Sequence, residues 1–317
     1  MKKRKVIIDT DTAGDDTTAI LTAIHYFQVE GITIVSGNID FDQQVENALY
    51  TIEISDYDDY IPVFKGHRDP IMTLEGSKHI TEERIFANDG MGNSNFPLAK
   101  QRPEEQHAVD FIIETIHANP GEIEIISIGP QTNIALAIKR DPTIINKIKH
   151  LWIMGGVNHA PGNIRAVAEF NFNTDPEATK IVLHSGIKMT MVTWDTCLKY
   201  AVMYDEDLEK INTLKTKGTE FFFDVNLHVK AFEAKKRNID GITCPDSITV
   251  AIAANEELMT QSNSYYVDIE LTSPLTRGYN IVDIEGDLQK TPNVRVCEKV
   301  DTKEFKKTLI EVLGAIQ

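Results

Sequence analysis

Short apolar runs rich in β-branched residues alternate along the chain with segments of helical periodicity. Residues 6–8 precede a helical pattern at about residues 16–26, and residues 32–35 precede another at about residues 43–54. Apolar runs without polar alternation are typical of strands buried on both faces of a parallel sheet. The later segments of the same pattern are strands at residues 123–128, 151–154 and 189–192, and helices at about residues 132–140 and from residue 176. We therefore predict an α/β fold with a mostly parallel, Rossmann-like central sheet flanked by helices.

The C-terminal part of the chain shows a different pattern. Residues 265–271, 280–283 and 294–296 predict strands around turns such as Thr276-Arg277-Gly278, and residues 303–316 predict a closing helix. These strands favour a small antiparallel extension. No linker, charge block or repeat divides the sequence, so we expect a single domain over residues 1–317. Residues 65–100 are weakly periodic, which in a segment of this length indicates a functional loop such as a lid.

Composition limits the class of ligand. An apolar fraction of 42% and a charged fraction of 25% are typical of a globular protein. The net charge of -16 argues against nucleic acids and anionic membranes as partners, because both require clustered Lys and Arg. We therefore expect a small-molecule ligand.

The number of cysteines and the length of the apolar runs indicate the cellular compartment of the protein. Cys197, Cys244 and Cys297 are widely spaced and odd in number, so neither a disulfide framework nor a thiolate zinc site is indicated. The apolar run after the basic N-terminus is too short for a signal peptide, and no stretch is long enough to span a membrane. We expect a cytoplasmic protein.

Four carboxylates follow the first predicted strand within one turn. Asp9, Asp11, Asp15 and Asp16 lie where open α/β sheets bind their ligands, at the carboxyl end of a strand. Their mutual repulsion is costly without a cation, and hard cations such as calcium and magnesium prefer carboxylate oxygens. Asp15 and Asp16 alone would also suit a helix N-terminus, but that alternative leaves Asp9 and Asp11 unexplained. The pattern therefore predicts a divalent-cation site.

A second polar cluster follows the predicted strand at residues 151–154. Asn163, Glu169 and Asn171 stand in a predicted loop, where amides and a carboxylate can bind several hydroxyl groups. Alternatively, these side chains bond only within their own loop. The residues alone leave both interpretations open.

Two further aspartates precede predicted helices. Asp175 with Pro176 has the pattern of an N-cap and first-turn pair, which indicates a structural role. Asp246 precedes an apolar helical segment at residues 248–254, and the local pattern favours capping there as well.

The acidic turn resembles the signature of the nucleoside hydrolases, the inosine-uridine preferring N-ribohydrolases, and the resemblance extends from Val6 almost to the C-terminus. The family turn Asp-x-Asp-Pro-Gly-x-Asp-Asp corresponds to residues 9–16, where Thr12 and Ala13 replace the Pro and Gly. Other family motifs follow in the family's order, namely Gly37-Asn38, Gly129-Pro130-Gln131-Thr132-Asn133-Ile134-Ala135, Met154-Gly155-Gly156, Ala168-Glu169-Phe170-Asn171 and Asp175-Pro176-Glu177-Ala178. The resemblance implies calcium-dependent hydrolysis of the N-glycosidic bond of ribonucleosides or related N-ribosides in purine or pyrimidine salvage, by a homodimer or homotetramer.

The resemblance also assigns roles to individual residues. It implies one calcium ion per chain, bound by Asp11, Asp15, Asp16, the carbonyl of Ile128 and Asp246, which replaces the local interpretation of Asp246 as a cap. Asp11 would be the general base that takes a proton from a metal-bound water. The residues implied to bind the substrate are Asn38, Met154, Asn163, Glu169, Asn171, Asp15 and Asp246.

The sequence departs from the family where the leaving base is protonated. Many members have histidines at the positions of Phe86 and Pro245. Protonation by another residue, aromatic stacking, or a substrate whose base leaves easily are the alternatives. The candidate acids are His228, Asp89 and Cys244, and the candidate stacking residues are Phe86 and Trp194, although the apolar surroundings of His228 and Trp194 favour packing roles.

Two competing functions account for part of the pattern. Residues 8–12 also fit a haloacid-dehalogenase-type phosphatase with Asp9 as nucleophile, but that interpretation leaves Asp15 and Asp16 without a role. A non-catalytic, calcium-dependent nucleoside or ribose binder would retain the ribose residues and lack the leaving-group acid. We expect the hydrolase, because a binder has no use for the general base Asp11.

Overall fold

The computed structural model describes residues 3–72 and 85–317, and a single large sheet is central to it. The strands in these ranges are β1 (Lys5–Thr10), β2 (Gln28–Ile34), β3 (Val63–Lys65), β4 (Glu124–Ser127), β5 (His150–Met154), β6 (Met189–Val192), β7 (Val202–Tyr204), β8 (Gly241–Thr243), β9 (Met259–Ile269), β10 (Asn280–Asp283) and β11 (Val294–Val300). The large sheet has the order β10-β9-β11-β6-β5-β4-β1-β2-β3, and β7 pairs with β8 apart from it.

Helices connect most of the parallel strands and cover the sheet. Those in the described ranges are α1 (Asp15–Tyr26), α2 (Phe41–Ile54), α3 (Ala108–Ala118), α4 (Thr132–Arg140), α5 (Phe170–Thr174), α6 (Pro176–Leu183), α7 (Trp194–Tyr200), α8 (Asp205–Leu214), α9 (Lys217–Arg237), α10 (Pro245–Ala254) and α11 (Thr302–Ala315). Among the described residues, no helix has the length and apolar content needed to cross a membrane.

The two faces of the sheet bury separate apolar layers. Ile7 belongs to the layer formed with α3, α4 and α6, whereas Val6 and Ile8 belong to the layer formed with α1, α2 and α10. All three side chains are fully buried. Successive side chains of a strand point to opposite faces, so an apolar residue at each of these positions follows from helices on both sides. The predicted mostly parallel sheet is confirmed.

The order of the strands reverses at β1. The chain continues from β1 to β2 and β3 on one side, and β4, β5 and β6 follow on the other side. β1 and β4 are parallel neighbours, with Asp9 opposite Ser127. In open α/β sheets a crevice forms at this reversal, outside the carboxyl ends of the strands. The topology therefore brings the residues after β1 and β4 together.

The predicted antiparallel part is present, but it continues the main sheet. β9 pairs antiparallel with β10 and β11, and β11 also pairs parallel with β6. β9 begins at Met259, before the predicted start at residue 265, because its first half is polar and partly exposed and therefore gives no apolar signal. The turn at Gly278, with φ of 82°, joins β9 to β10 as the sequence predicts.

The predicted lid at residues 65–100 is described only in part. Residues 73–84 lie outside the described residues. The following segment packs against helices, because the Gly14 amide donates to the Gly90 carbonyl at 2.8 Å and the Ser94 hydroxyl donates to the Asp224 carbonyl at 3.1 Å. This loop therefore contacts both α1, through its N-cap residue Gly14, and α9.

Asp175 connects three parts of the chain, and its replacement tests this role. Its carboxylate caps α6 through the Ala178 amide at 3.0 Å, and it also accepts hydrogen bonds from the Thr132 hydroxyl at 2.7 Å and the Ile71 amide at 2.8 Å. We expect Asp175→Ala to lower the free energy of unfolding by about 2–4 kcal/mol, measured by urea denaturation, because the cap is lost and buried donors are unpaired.

Asp301 provides the matched control for this prediction. It caps α11 by accepting from the Lys303 and Glu304 amides, but it is exposed. Asp301→Ala should therefore cost only about 1 kcal/mol. Equal losses in the two variants would contradict a connecting role for Asp175.

Candidate active site

A cleft of about 830 Å³, part of it open to solvent, lies at the carboxyl ends of the parallel strands. The loops after β1, β2, β4 and β5 line it together with the N-terminus of α10. The predicted metal and substrate residues that line the cleft are Asp11, Asp15, Asn38, Ile128, Met154, Asn163, Glu169, Asn171 and Asp246. Asp16 is buried beside them. The structure thus brings residues from distant parts of the sequence together at one site.

Asp11 has one carboxylate oxygen without a hydrogen-bond partner. Its Oδ2 accepts from the Asn38 amide at 2.8 Å, whereas Oδ1 is buried and unpartnered among the described residues. The backbone at Gly37 passes so close that a Cβ atom there would lie 2.0 Å from Oδ2. Asp11 is therefore held rigidly with one oxygen available for a cation or for water.

Asp15 connects α1 to α10. Its Oδ2 accepts from the amides of Asp246 at 2.7 Å and Ser247 at 3.1 Å, and its Oδ1 accepts from the Ser247 hydroxyl at 2.6 Å. Asp15 thus satisfies the free amides at the start of α10. The local interpretation of Asp246 as a helix cap is wrong, because Cys244 is the N-cap residue and Asp246 lies inside the helix with its side chain lining the cleft.

Asp16 is bound at the base of the acidic turn. Its carboxylate accepts from the Thr10 hydroxyl at 2.5 Å and from the Ala13 amide at 3.1 Å. Gly14 is the N-cap residue of α1 and provides no side-chain cap, whereas the carboxylate of Asp15 bonds to α10 and that of Asp16 bonds to Thr10. The alternative that these aspartates only complement the helix N-terminus is therefore not favoured.

Burial and mutual repulsion shift the acidic cluster toward its neutral form. Burial is the largest cause in each case: it raises the pKa of Asp15 to about 6 and that of Asp16 to about 7. The pKa values of Asp11 and Asp246 lie well above the usual range, because of burial and then the charge of Asp16. A divalent cation would favour the charged forms and relieve the repulsion.

The donor set suits a hard cation, although its side chains do not form a closed site. In the described part of the chain, no three Asp, Glu, His or Cys side chains are arranged to hold a metal. The free Oδ1 of Asp11, the side chain of Asp246 and the Ile128 carbonyl nevertheless provide oxygen atoms around one cleft. Oxygen donors of this kind are those preferred by calcium and magnesium.

Part of the second polar cluster lies on a short helix, because Asn171 is within α5, whereas Asn163 stands in a loop as predicted. Glu169 is the N-cap residue of α5, whose five residues are too few to show helical periodicity in the sequence. Glu169 also accepts from the Gly156 amide at 2.9 Å, and burial raises its pKa to about 7. Asn171 donates to the carbonyls of Ile128 at 3.0 Å and Met154 at 3.2 Å.

Asn163 completes this cluster. Its Oδ1 accepts from the Phe170 amide at 2.8 Å, at the start of α5. The cluster therefore bonds internally and lines the cleft at the same time, so both interpretations of the sequence describe part of the structure.

Asp9 has a structural role outside the cleft. It accepts from the Thr33 hydroxyl at 2.5 Å and from the Asn133 side-chain amide at 2.8 Å, and Asn133 also binds the Ile34 carbonyl and the His67 amide. Asp9 is completely buried and does not line the cleft. The phosphatase interpretation is wrong, because its nucleophile would have to face a substrate.

The three acids considered for the leaving base do not line the cleft. His228 is exposed on α9, neither packed as expected nor directed into the site. Asp89 accepts from the amides of Met91, Asn93 and Asn95 in a turn. The thiol of Cys244 is buried, and burial raises its pKa well above the usual range. All three are therefore poorly placed to donate a proton to substrate.

Aromatic side chains also form part of the cleft wall. Phe86, Trp194 and Pro245 line the cleft, so the two proposed stacking residues are correctly located. Phe86 lies so close to Gly14 that a Cβ atom there would stand 2.2 Å from its ring, and Gly14 has φ of 53°. Trp194 is 4% exposed and therefore also packs in the hydrophobic core.

Helix α9 contributes two charged residues that the sequence analysis did not select. Glu233 and Arg237 line the cleft and form an ion pair, and the Arg237 guanidinium lies 4.9 Å from the centroid of the Trp194 ring. An acid and a base four residues apart on a helix are usually a solvated surface pair. The sequence signal for a site was therefore indistinguishable from that of an ordinary exposed helix.

Comparison with known proteins agrees with this geometry. The family model of the inosine-uridine preferring nucleoside hydrolases matches residues 6–307. Uridine nucleosidase 1 of Arabidopsis thaliana is 31% identical over 89% of this chain and 82% of the relative. The pyrimidine-specific ribonucleoside hydrolase RihB of Escherichia coli is 29% identical over 96% of this chain and 95% of the relative. The solved structure of the purine-preferring ribonucleoside hydrolase of Gardnerella vaginalis superposes with a TM-score of 0.90 at 27% identity, over 99% of each chain.

The fold and the site define a hydrolase of the α/β class. The chain belongs to the inosine-uridine preferring nucleoside hydrolase family. It is therefore an N-glycosyl hydrolase that acts on the bond between ribose and base in ribonucleosides. The family resemblance of the sequence is confirmed, and the non-catalytic binder is not favoured.

Replacing Gly37 tests whether the site depends on the close approach to Asp11. The added Cβ of Gly37→Ala would displace the Asp11 carboxylate, and a displacement of about 1 Å can reduce a rate about 100-fold. We therefore expect kcat/KM for ribose release to fall by about that factor. Gly314→Ala is the control, because its Cβ would meet only the flexible end of Leu214 at 3.3 Å. Wild-type kcat/KM in Gly37→Ala would refute the constraint.

Proposed function

We propose that this nucleoside hydrolase uses one calcium ion per chain and Asp11 as the general base that activates water. The observation that carries the proposal is the buried Oδ1 of Asp11, which has no hydrogen-bond partner among the described residues although Oδ2 is fixed by the Asn38 amide. An unpaired buried carboxylate oxygen is costly unless it has a function. The relatives are pyrimidine-specific and purine-preferring enzymes, so the proposal covers ribonucleosides of both kinds.

The residues that would hold the cation are those of the acidic turn and its neighbours. Nucleoside hydrolases are metal-dependent hydrolases, which supports a cation at this site. The proposed ligands are Asp11, Asp15, Asp16, Asp246 and the carbonyl of Ile128. When bound, calcium lowers the pKa of an adjacent water and orients the ribose hydroxyls. Asp15 would bind the cation while its three hydrogen bonds keep α10 in place.

Asp11 would take the proton from the attacking water. Its backbone environment fixes the carboxylate, so the free oxygen points to a constant position in the cleft. General bases act at hydrogen-bond distance and need this kind of fixed geometry. Burial and the charge of Asp16 raise the pKa of Asp11, and a bound cation would favour its charged form.

The remaining polar residues would bind the ribose. Asn38, Asn163 and Asn171 provide amides, and Glu169 provides a buried carboxylate on the same wall. The C1′ carbon becomes positively charged as the base departs, and fixed carboxylates and amide oxygens stabilise that charge. The other residues proposed to contact the substrate are Met154, Asp15 and Asp246.

We also propose a single domain over residues 1–317 that acts as a cytoplasmic homodimer or homotetramer in nucleoside salvage. One sheet shared by both apolar layers supports the single domain. Three buried, unpaired cysteines support a reducing compartment. Sedimentation velocity on the purified protein tests the assembly.

Ribose release from a panel of ribosides tests the hydrolase and its base. We expect the wild-type protein with calcium to release ribose from purine or pyrimidine nucleosides and from p-nitrophenyl riboside. Asp11→Ala should abolish turnover of all of them and keep the wild-type fold, measured by circular dichroism, although it also loses calcium-dependent stabilisation because Asp11 is a proposed ligand. Turnover by Asp11→Ala would refute the proposed base. Thermal protection of the wild type by nucleosides without ribose release would indicate a binder.

Chelation tests the metal. We expect EGTA to abolish activity and to lower the melting temperature, because calcium at 100 times its dissociation constant stabilises the folded state by about 2.7 kcal/mol. Asp246→Asn should lose most of the calcium-dependent stabilisation. Asp59→Asn, at an exposed position, is the control and should keep it. Unchanged activity and melting temperature in EGTA would refute the metal site.

A further inference from the structure

The wall of the cleft contributed by α9 contains a buried carboxyl group to which the proposed reaction assigns no role. Glu233 is 1% exposed and lines the same cleft as Asp11 and Glu169. Its Oε1 accepts from the Thr243 hydroxyl at 3.1 Å and pairs with Arg237. Its Oε2 is buried and has no partner within the part of the chain that the structure describes. A buried polar atom without a partner requires an explanation, and a group bound in the cleft would provide one.

The surroundings of Glu233 are those of a binding pocket for a planar ring. Trp194, Phe86 and Pro245 line the cleft with it. The Arg237 guanidinium packs against the Trp194 ring and donates to the Asn163 carbonyl at 3.3 Å, which fixes the arginine beside the glutamate. Apolar and aromatic walls with one polar group are typical of sites that bind heterocycles. The base is the only planar, aromatic heterocycle of a ribonucleoside.

The charges around Glu233 favour a carboxyl group that can carry a proton. Burial raises the pKa of Glu233, and Arg237 offsets this only in part. Arg237 lies on the same helix, the Thr243 hydroxyl on β8 is neutral, and the facing Trp194 is neutral as well. Among the residues that the structure describes, Arg237 is therefore the one charged partner of this carboxyl.

We propose that Glu233 is the general acid that protonates the departing base, a role that rests on the proposed function. The bond between C1′ and the base nitrogen breaks, and its electron pair stays on the base. The base accepts the proton from Oε2 of Glu233. Water forms the new bond to C1′, and Asp11 takes its proton. Exchange with solvent then restores both carboxyl groups, so that the net reaction consumes one water.

This role accounts for the absence of the two family histidines from positions 86 and 245. Phe86 and Pro245 cannot donate a proton, and His228, Asp89 and Cys244 do not line the cleft. Glu233 does line it, and it lies on the wall formed with the aromatic side chains. An acid on a different element would therefore replace the missing histidines in this chain.

The activity of Glu233→Gln on substrates with two different leaving groups tests the proposal. p-Nitrophenolate leaves without protonation, whereas a natural base requires it. We expect kcat for nucleosides to fall by about 100-fold or more, which is the usual contribution of a general acid. kcat for p-nitrophenyl riboside should change less than about 3-fold, since its chemistry bypasses the acid. Glu220→Gln, at an exposed position on the same helix, is the matched control and should act as wild type on both substrates.

The same comparison separates a catalytic role from a structural one. If Glu233 only positioned Arg237, Glu233→Gln would reduce both activities by the same factor, and that result would overturn the proposal. Retained activity on nucleosides would overturn it as well. Absence of ribose release from every riboside by the wild type would instead refute the proposed function.

A pH profile of the wild type provides a second test, which does not depend on whether a variant folds. A general acid acts only when protonated, so kcat/KM for nucleosides should fall as pH rises through the pKa of Glu233. The profile for p-nitrophenyl riboside should lack this alkaline limb. Identical alkaline limbs for the two substrates would exclude Glu233 as the acid.

Discussion

The burial of several carboxylates around one turn is the constraint on which the rest of the structure depends. Charged groups removed from water need hydrogen-bond donors or a counterion. The fold supplies donors to each of them: the Asn38 amide for Asp11, the start of α10 for Asp15, and Thr10 with Ala13 for Asp16. The loops at the carboxyl end of the sheet are therefore shaped by the acidic turn as much as by the substrate.

The cleft has two chemically different walls. The sheet wall is acidic and rigid, because its residues follow directly after buried strands and Asp9 fixes the layer behind them through Asn133. The other wall is aromatic and comes from α7, α9 and the segment around Phe86. The two walls contact each other, because Phe86 packs against Gly14 of the acidic turn and Arg237 donates to the Asn163 carbonyl.

The sequence predicted what depends on local periodicity and missed what depends on tertiary contact. The buried strands were visible because each is a continuous apolar run, and the acidic turn was visible because its four carboxylates are close together in the chain. Asp246 could not be separated from a cap by local pattern, because the group that binds the start of α10 in its place, Asp15, is distant in sequence. Glu233 had the spacing of a surface ion pair, and the polar first half of β9 gave no strand signal. In each case the contacts that determine the structure are made with residues distant in the sequence.

The contact between Asp15 and α10 joins positions 231 residues apart. During translation, the acidic turn leaves the ribosome long before α10 is synthesised. Until then the Asp15 carboxylate lacks its partners, because the helix N-terminus that pairs with it does not yet exist. Nascent chains form non-local contacts late and domain by domain. The enclosure of Asp15 consequently waits for the synthesis of α10, and a polypeptide released before residue 246 cannot possess the complete centre.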